Sequence, residues 1–98
     1  FALSTIEGMS FDKAFFSPTG IGQNGVLSEC GEQENLIRCA ALENSAVKIC
    51  LCDHSKINKN FLFHICHISE VDYIVSDIDV FKKIDNLDTA LPKLIIAK

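Results

Sequence analysis

The stretch that most restricts the fold of this chain is Ala46-Val47-Lys48-Ile49-Cys50-Leu51-Cys52, an apolar run that stops abruptly at Asp53-His54-Ser55-Lys56. It is too short for an ordinary helix and rich in branched residues, so it reads as a buried strand. An acid, an imidazole, a hydroxyl and an amine therefore leave the sheet together. In an open parallel α/β sheet the crevice beyond the carboxyl ends of the strands is where ligands bind, because strand ends and helix starts both aim polar groups there. Asp53 and Lys56 are accordingly expected to face a pocket.

The neighbouring segments fit the same architecture. Residues 1–9 read as a helix whose Leu3, Ile6 and Met9 share one side at three-residue spacing. Asp12-Lys13-Ala14-Phe15-Phe16-Ser17 has an apolar centre and halts at Pro18, which predicts a short strand. Pro18 to Gly25 then holds three glycines and one proline in eight residues, a loop that needs unusual backbone angles, and Asn24-Gly25 is itself a turn signal. From Gly31 to Asn44 the pairs Leu36/Ala40 and Ile37/Ala41 predict a helix, with Glu29, Glu32 and Glu34 near the positive end of its dipole. Phe61 to Ile68 is expected to be extended, Ser69 to Asp72 a turn and Tyr73 to Ser76 a strand ending on Asp77. A weak helix over Val80–Leu87 and a closing strand over Lys93–Ala97 complete the series. Strands alternating with helices and turns predict an α/β fold, a mostly parallel Rossmann-like sheet with right-handed crossovers. Thr19-Gly20, Asp53 and Asp77 then gather on one edge of it.

At 98 residues the chain is expected to form a single domain, residues 1–98, and to be a piece of something larger, since it opens at Phe1 as though part-way through a helix. Nearly half of its residues are hydrophobic, 48%, which predicts apolar surface awaiting a further segment or a second copy, hence a homo-oligomer. A net charge of −4 with scattered lysines argues against this piece gripping nucleic acid itself. No run is long enough to span a bilayer and no leader is visible, so a cytoplasmic protein without a membrane partner is expected. Five cysteines, Cys30, Cys39, Cys50, Cys52 and Cys66, lie mostly in apolar or helical context, which favours reduced thiols over disulfides.

Five blocks then occur in a telling order: Phe11 to Ile21, Asn24-Gly25-Val26-Leu27, Glu34 with Arg38 and Ala40 ahead of Glu43-Asn44-Ser45, Asp53-His54-Ser55-Lys56, and Val71 to Asp77. From about Gly8 to Asp77 the chain resembles the C-terminal sensor domain of DeoR-type bacterial transcriptional repressors. The resemblance implies a sugar-phosphate-isomerase-like fold, shared with ribose-5-phosphate isomerase and glucosamine-6-phosphate deaminase. It also implies a domain that senses a phosphorylated sugar or related metabolite and releases the repressor from its operator. Two features of the family are absent: the DNA-binding winged helix-turn-helix, and the first half of the sensor domain with its phosphate-holding loops. Where the family often has glycine after the aromatic pair, this chain has Ser17.

On this reading Lys56 neutralises a phosphate or holds a hydroxyl, Asp53 and Asp77 accept from sugar hydroxyls, and Gly20, Asn24 and Gly25 shape the pocket rim. The plainer readings are a turn-fixing Asp53–Lys56 pair, Asx-turns and a loop that merely turns. No Walker or GxGxxG motif is present, and no cofactor is expected. Glu34 and Arg38, four apart, are expected to pair with each other. Cys50 and Cys52 share a strand face and could join His64, Cys66 or His67 around a metal, but their apolar setting favours buried thiols and no metal. The chain is expected not to be an enzyme. The rival readings are a sugar-phosphate isomerase or deaminase fragment using Asp53 or Asp77 as base, and an oligomerisation module without a ligand.

Overall fold

The computed structural model describes residues 2–84 and 91–97. Two sheets organise them. Strands β1 (Phe11–Phe16), β4 (Ser45–Leu51), β6 (Tyr73–Ser76) and β7 (Lys93–Ile96) form a four-stranded sheet in the order β1-β4-β6-β7, parallel throughout. Strands β2 (Gly20–Ile21), β3 (Val26–Glu29) and β5 (Phe63–His67) form a smaller antiparallel sheet. Helices α1 (Ala2–Glu7) and α2 (Glu32–Glu43) lie before β1 and between β3 and β4. The architecture is thus α/β with a mostly parallel main sheet, as the alternation predicts.

The second sheet is what the sequence pattern hides. Gly20–Ile21 falls inside the expected glycine-rich loop and Val26–Glu29 in a stretch to which the pattern assigns no strand, and Phe61 to Ile68 contributes β5 to this sheet rather than to the parallel one. The expected helix over Val80–Leu87 is a single 3-10 turn, Val80–Lys82; residues 85–87 lie outside the described residues.

Helix α2 starts with Glu32 and Glu34 in its first turn, where the dipole favours acids. Glu29, expected to join them, instead closes β3. Of the residues whose spacing predicts α2, Ala40 is buried. Leu36 is half exposed, whereas Asn35 and Leu42 are buried and Cys39 packs against the core. Polar bonds explain the choice: Asn35 Nδ2 donates to the His64 carbonyl at 3.2 Å, and Cys39 Sγ donates to that of Ile65 at 3.6 Å. Both satisfy buried groups while fastening α2 to β5. At the far end Asn44 Nδ2 donates to the Ile6 and Glu7 carbonyls, which ties the end of α1 to that of α2.

The core lies between the two sheets and α2. Ile21, Leu27, Cys50, Ile68, Ile74 and Val80 are completely buried there. Each large branched side chain among them contributes about 1.5–3 kcal/mol of transfer free energy. No helix among the described residues is long and apolar enough to cross a membrane.

Candidate functional site

Because its strands are parallel, the main sheet brings all four of its carboxyl ends to one edge. Ser17 follows β1, Cys52 and Asp53 follow β4, Ser76 ends β6 with Asp77 next to it, and Ala97 follows β7. Together with Lys56 these residues line a groove of about 360 Å³. Register explains the convergence: Leu51 stands opposite Val75, and the Cys52 amide donates to the Val75 carbonyl at 3.0 Å, so the loops after β4 and β6 start side by side.

Asp53 caps the 3-10 turn His54–Lys56, with Oδ1 accepting from the Ser55 amide at 2.9 Å and from the Ser55 hydroxyl. Those two bonds hold its carboxyl below the ordinary value. Asp77 grips the same turn from β6: Oδ1 accepts from the His54 amide at 2.9 Å, and Oδ2 lies 2.6 Å from His54 Nδ1. The shared bond favours imidazolium beside carboxylate, raising His54 and lowering Asp77. The turn that presents Lys56 is therefore fixed by two acids, one from each strand end. Beside the groove, interaction with Cys52 and burial raise the Cys50 thiol, while interaction with Cys50 and with Ser76 lowers that of Cys52.

Of the six expected contact residues, the structure brings Asp53, Lys56 and Asp77 together on this groove and places Gly20, Asn24 and Gly25 elsewhere, in the β2–β3 hairpin. Each of the latter has a backbone task. A Cβ on Gly20 would lie 2.4 Å from the Lys59 carbonyl oxygen, so only glycine lets those two segments approach. Asn24 and Gly25 sit in the left-handed region, φ 68° and 80°, and turn the hairpin. The Asn24 carbonyl also meets the ring of His67.

The remaining polar expectations shift partners. Arg38 pairs with Glu29 rather than with Glu34. Glu29 also accepts from Thr19 Oγ1 at 2.7 Å and from the Cys30 amide at 2.9 Å. The Thr19 hydroxyl, with Arg38 and Cys30, draws its carboxyl down to about 2 against the opposing effect of burial. Burial pushes the Cys66 thiol up to about 12. Among the described residues no group of His, Cys, Asp and Glu is arranged to hold a metal ion. Reading the sequence missed Ser17, Cys52 and Ser76 as lining and His54 as the partner of Asp77. Their common signal was available: each lies within three residues of the end of a parallel strand.

The family model of the DeoR C-terminal sensor domain matches residues 1–78. The chain belongs to the DeoR sensor-domain family. Its curated relatives in that family include the lactose phosphotransferase system repressor of Staphylococcus aureus, 28% identical over 88 residues, covering 90% of this chain and 35% of the repressor. The HTH-type transcriptional repressor GlcR of Bacillus subtilis is 26% identical over 77 residues, covering 76% of this chain and 30% of GlcR. The chain thus spans about a third of the length of the relatives it matches. No solved structure matches it significantly. Within the DeoR match lie β1 to β6 and the groove residues from Ser17 to Asp77.

Proposed function

We propose that this chain is the effector-sensing part of a DeoR-family transcriptional repressor and that its ligand is a phosphorylated sugar or a related metabolite held at the carboxyl edge of the parallel sheet. The observation that carries the reading is the groove itself, which Lys56 lines together with Asp53 and Asp77 at the ends of adjacent parallel strands. An ammonium suits a phosphate or a hydroxyl, and carboxylates suit sugar hydroxyls. Gly20, Asn24 and Gly25 enter only as shapers of the β2–β3 hairpin. A relative named for a lactose phosphotransferase system supports a sugar-linked effector.

The mechanism is linkage: a ligand that binds one arrangement of the β4 and β6 loops better than another shifts the population, and a DNA-binding domain elsewhere in the repressor reads the shift. Such a repressor works in the cytoplasm as a homo-oligomer matched to a two-fold operator, and the chain catalyses nothing. Isothermal titration of the intact repressor against a panel of phosphosugars tests this. Binding at or below about millimolar Kd by one member, weakened by Lys56→Ala, is expected; no binding by any member refutes it. Turnover of ribose-5-phosphate or glucosamine-6-phosphate would instead favour an enzyme.

A further inference from the structure

Two of the five cysteines stand two residues apart where β4 ends and the candidate groove begins. Side chains on a strand alternate, so Cys50 and Cys52 project from the same face of the sheet. Their surroundings differ. Cys50 is completely buried in the core with Phe16 and Ile74, whereas Cys52 is partly exposed and lines the groove with Ser17, Asp53 and Ser76. Among the described residues Cys52 is the one cysteine on that lining. Cys39 and Cys66 line a different cavity, of about 420 Å³, between α2, β4 and β5, and Cys30 lies exposed after β3.

We propose that Cys52 is a site of oxidative modification with Cys50 as its resolving partner, and that the disulfide they form under peroxide reshapes the turn carrying Asp53 and Lys56. The Cys52 thiolate attacks one oxygen of hydrogen peroxide and the O–O bond breaks. The sulfur becomes a sulfenic acid, and the departing hydroxide takes up a proton and leaves as water. The Cys50 sulfur then attacks the Cys52 sulfur, the S–O bond breaks and the oxygen leaves, protonated, as a second water. Two thiols have lost two electrons and two protons, and the peroxide has become two waters.

Three features select this pair. A dissolved oxidant meets a thiol that lines a groove before one sealed in the core, and Cys52 is the groove thiol. Reach comes next. Two residues of parallel strand span about 6.6 Å, inside the upper end of the about 4.4–6.8 Å between Cα atoms that disulfides adopt. The third feature is the order of attack. Interaction with Cys50 and with Ser76 lowers the Cys52 thiol, which favours it as the attacking thiolate. The largest influence holding Cys50 up is Cys52 itself, and that influence ends once Cys52 is oxidised.

A bond at the long end of that range is strained and readily reduced, which makes the change reversible. Cys52 adjoins Asp53, so drawing it toward Cys50 pulls on the turn His54–Lys56. It also pulls on the bonds that Asp77 accepts from the His54 amide and shares with its ring. The chemistry needs no effector, so it stands or falls separately from the phosphosugar assignment.

The repressor that contains this chain is treated with hydrogen peroxide, its remaining thiols are alkylated, and it is digested with trypsin. Cleavage after Lys48 and Lys56 leaves Cys50 and Cys52 together in Ile49–Lys56, with Cys30, Cys39 and Cys66 on other peptides. By mass spectrometry Ile49–Lys56 is expected to lose two hydrogens, to take up no alkyl group and to recover both thiols with dithiothreitol, all before Cys30 is consumed. Cys50→Ser is expected to accumulate Cys52 as a sulfenic acid that dimedone traps, whereas Cys52→Ser leaves Cys50 reduced. Full alkylation of Ile49–Lys56 after Cys30 has been oxidised overturns the proposal. So does a disulfide that joins Cys50 to the peptide carrying Cys66. The effect on the turn is read by NMR at His54, whose raised pKa is expected to fall toward its ordinary value on oxidation and to return on reduction. A His54 titration identical in the two forms refutes the link between dithiol and turn.

Discussion

Glu29 is the polar residue on which the link between hairpin and helix most depends, and Glu29→Ala is the sharpest perturbation of the fold. Its side chain is only 11% exposed and accepts from the Thr19 hydroxyl, the Cys30 amide and Arg38, which is itself 25% exposed. Removal leaves a hydroxyl, an amide and a largely covered guanidinium without their acceptor. Hydrogen bonds to a charged group are worth about 1.5–3 kcal/mol each, and breaking a buried pair costs about 3–5 kcal/mol. Arg38 can still reach water, so the expected loss is about 3 kcal/mol, at the low end of that range. For a domain of this size that is a fall of about 15 °C in Tm. Glu29→Gln keeps one acceptor oxygen and is expected to lose about half as much. The pH dependence gives an independent check. A carboxyl lowered from 4.5 to about 2 contributes stability that is complete above its ordinary value and disappears as pH falls through the folded value. The deficit of Glu29→Gln relative to the parent should therefore be full at neutral pH and shrink as pH falls below 4.5 toward about 2. Urea melts at pH 7 and at pH 3 measure both. A Glu29→Ala chain within about 0.5 kcal/mol of the parent at pH 7, the scatter of ordinary surface changes, refutes the assignment.

Gly20→Ala drives a methyl onto backbone, 2.4 Å from the Lys59 oxygen and 2.8 Å from the Phe61 ring, and is expected to cost at least the ~1–3 kcal/mol of an overpacked site in denaturant melts. His54 should titrate by NMR above its ordinary value and return toward it in Asp77→Asn, since the carboxylate is the main cause of the shift. The stability contributed by His54 is complete below its unfolded pKa and lost as pH rises through the raised folded value. That contributed by Asp77 is present above its unfolded pKa and lost as pH falls through the lowered one. The clasp is thus firmest between the two ranges. In a thiol-counting assay exposed Cys30 should react first and buried Cys50 last; a Cys50 that reacts with Cys30 would contradict its burial.

The parallel half of the fold is legible because its signals are local. An apolar run bounded by polar residues marks β4 and β6 to within a residue, and four-residue spacing with leading acids marks α2. The antiparallel half is not, because β2 and β3 are only two and four residues long and the polar side chains of β3 are buried by contacts that no local pattern marks. Ser28 and Glu29 look like solvent residues, yet both are buried. Ser28 Oγ accepts from the Phe61 amide at 3.0 Å, and Glu29 reaches Thr19 and Arg38. Nothing in Val26-Leu27-Ser28-Glu29 announces those contacts. The same holds for α2, whose helix is legible but whose Asn35 is buried by bonding a carbonyl of β5 that the sequence does not announce.

The candidate site divides along the same line. Asp53, Lys56 and Asp77 follow apolar strands directly, and a parallel sheet delivers every such residue to one edge whatever the loops between them do. Gly20, Asn24 and Gly25 belong to a segment whose glycines answer to backbone crowding and to two left-handed residues, demands that resemble those of an anion-holding loop when read in one dimension. The strand ends therefore carry positional information about the ligand edge, whereas a glycine-rich stretch carries information only about backbone angles. His54 shows how the first kind could have been read further. Residues after paired parallel strands meet in register, so Leu51 opposite Val75 already sets the loop at 53–54 beside Asp77, and an imidazole and a carboxylate placed there will bind each other.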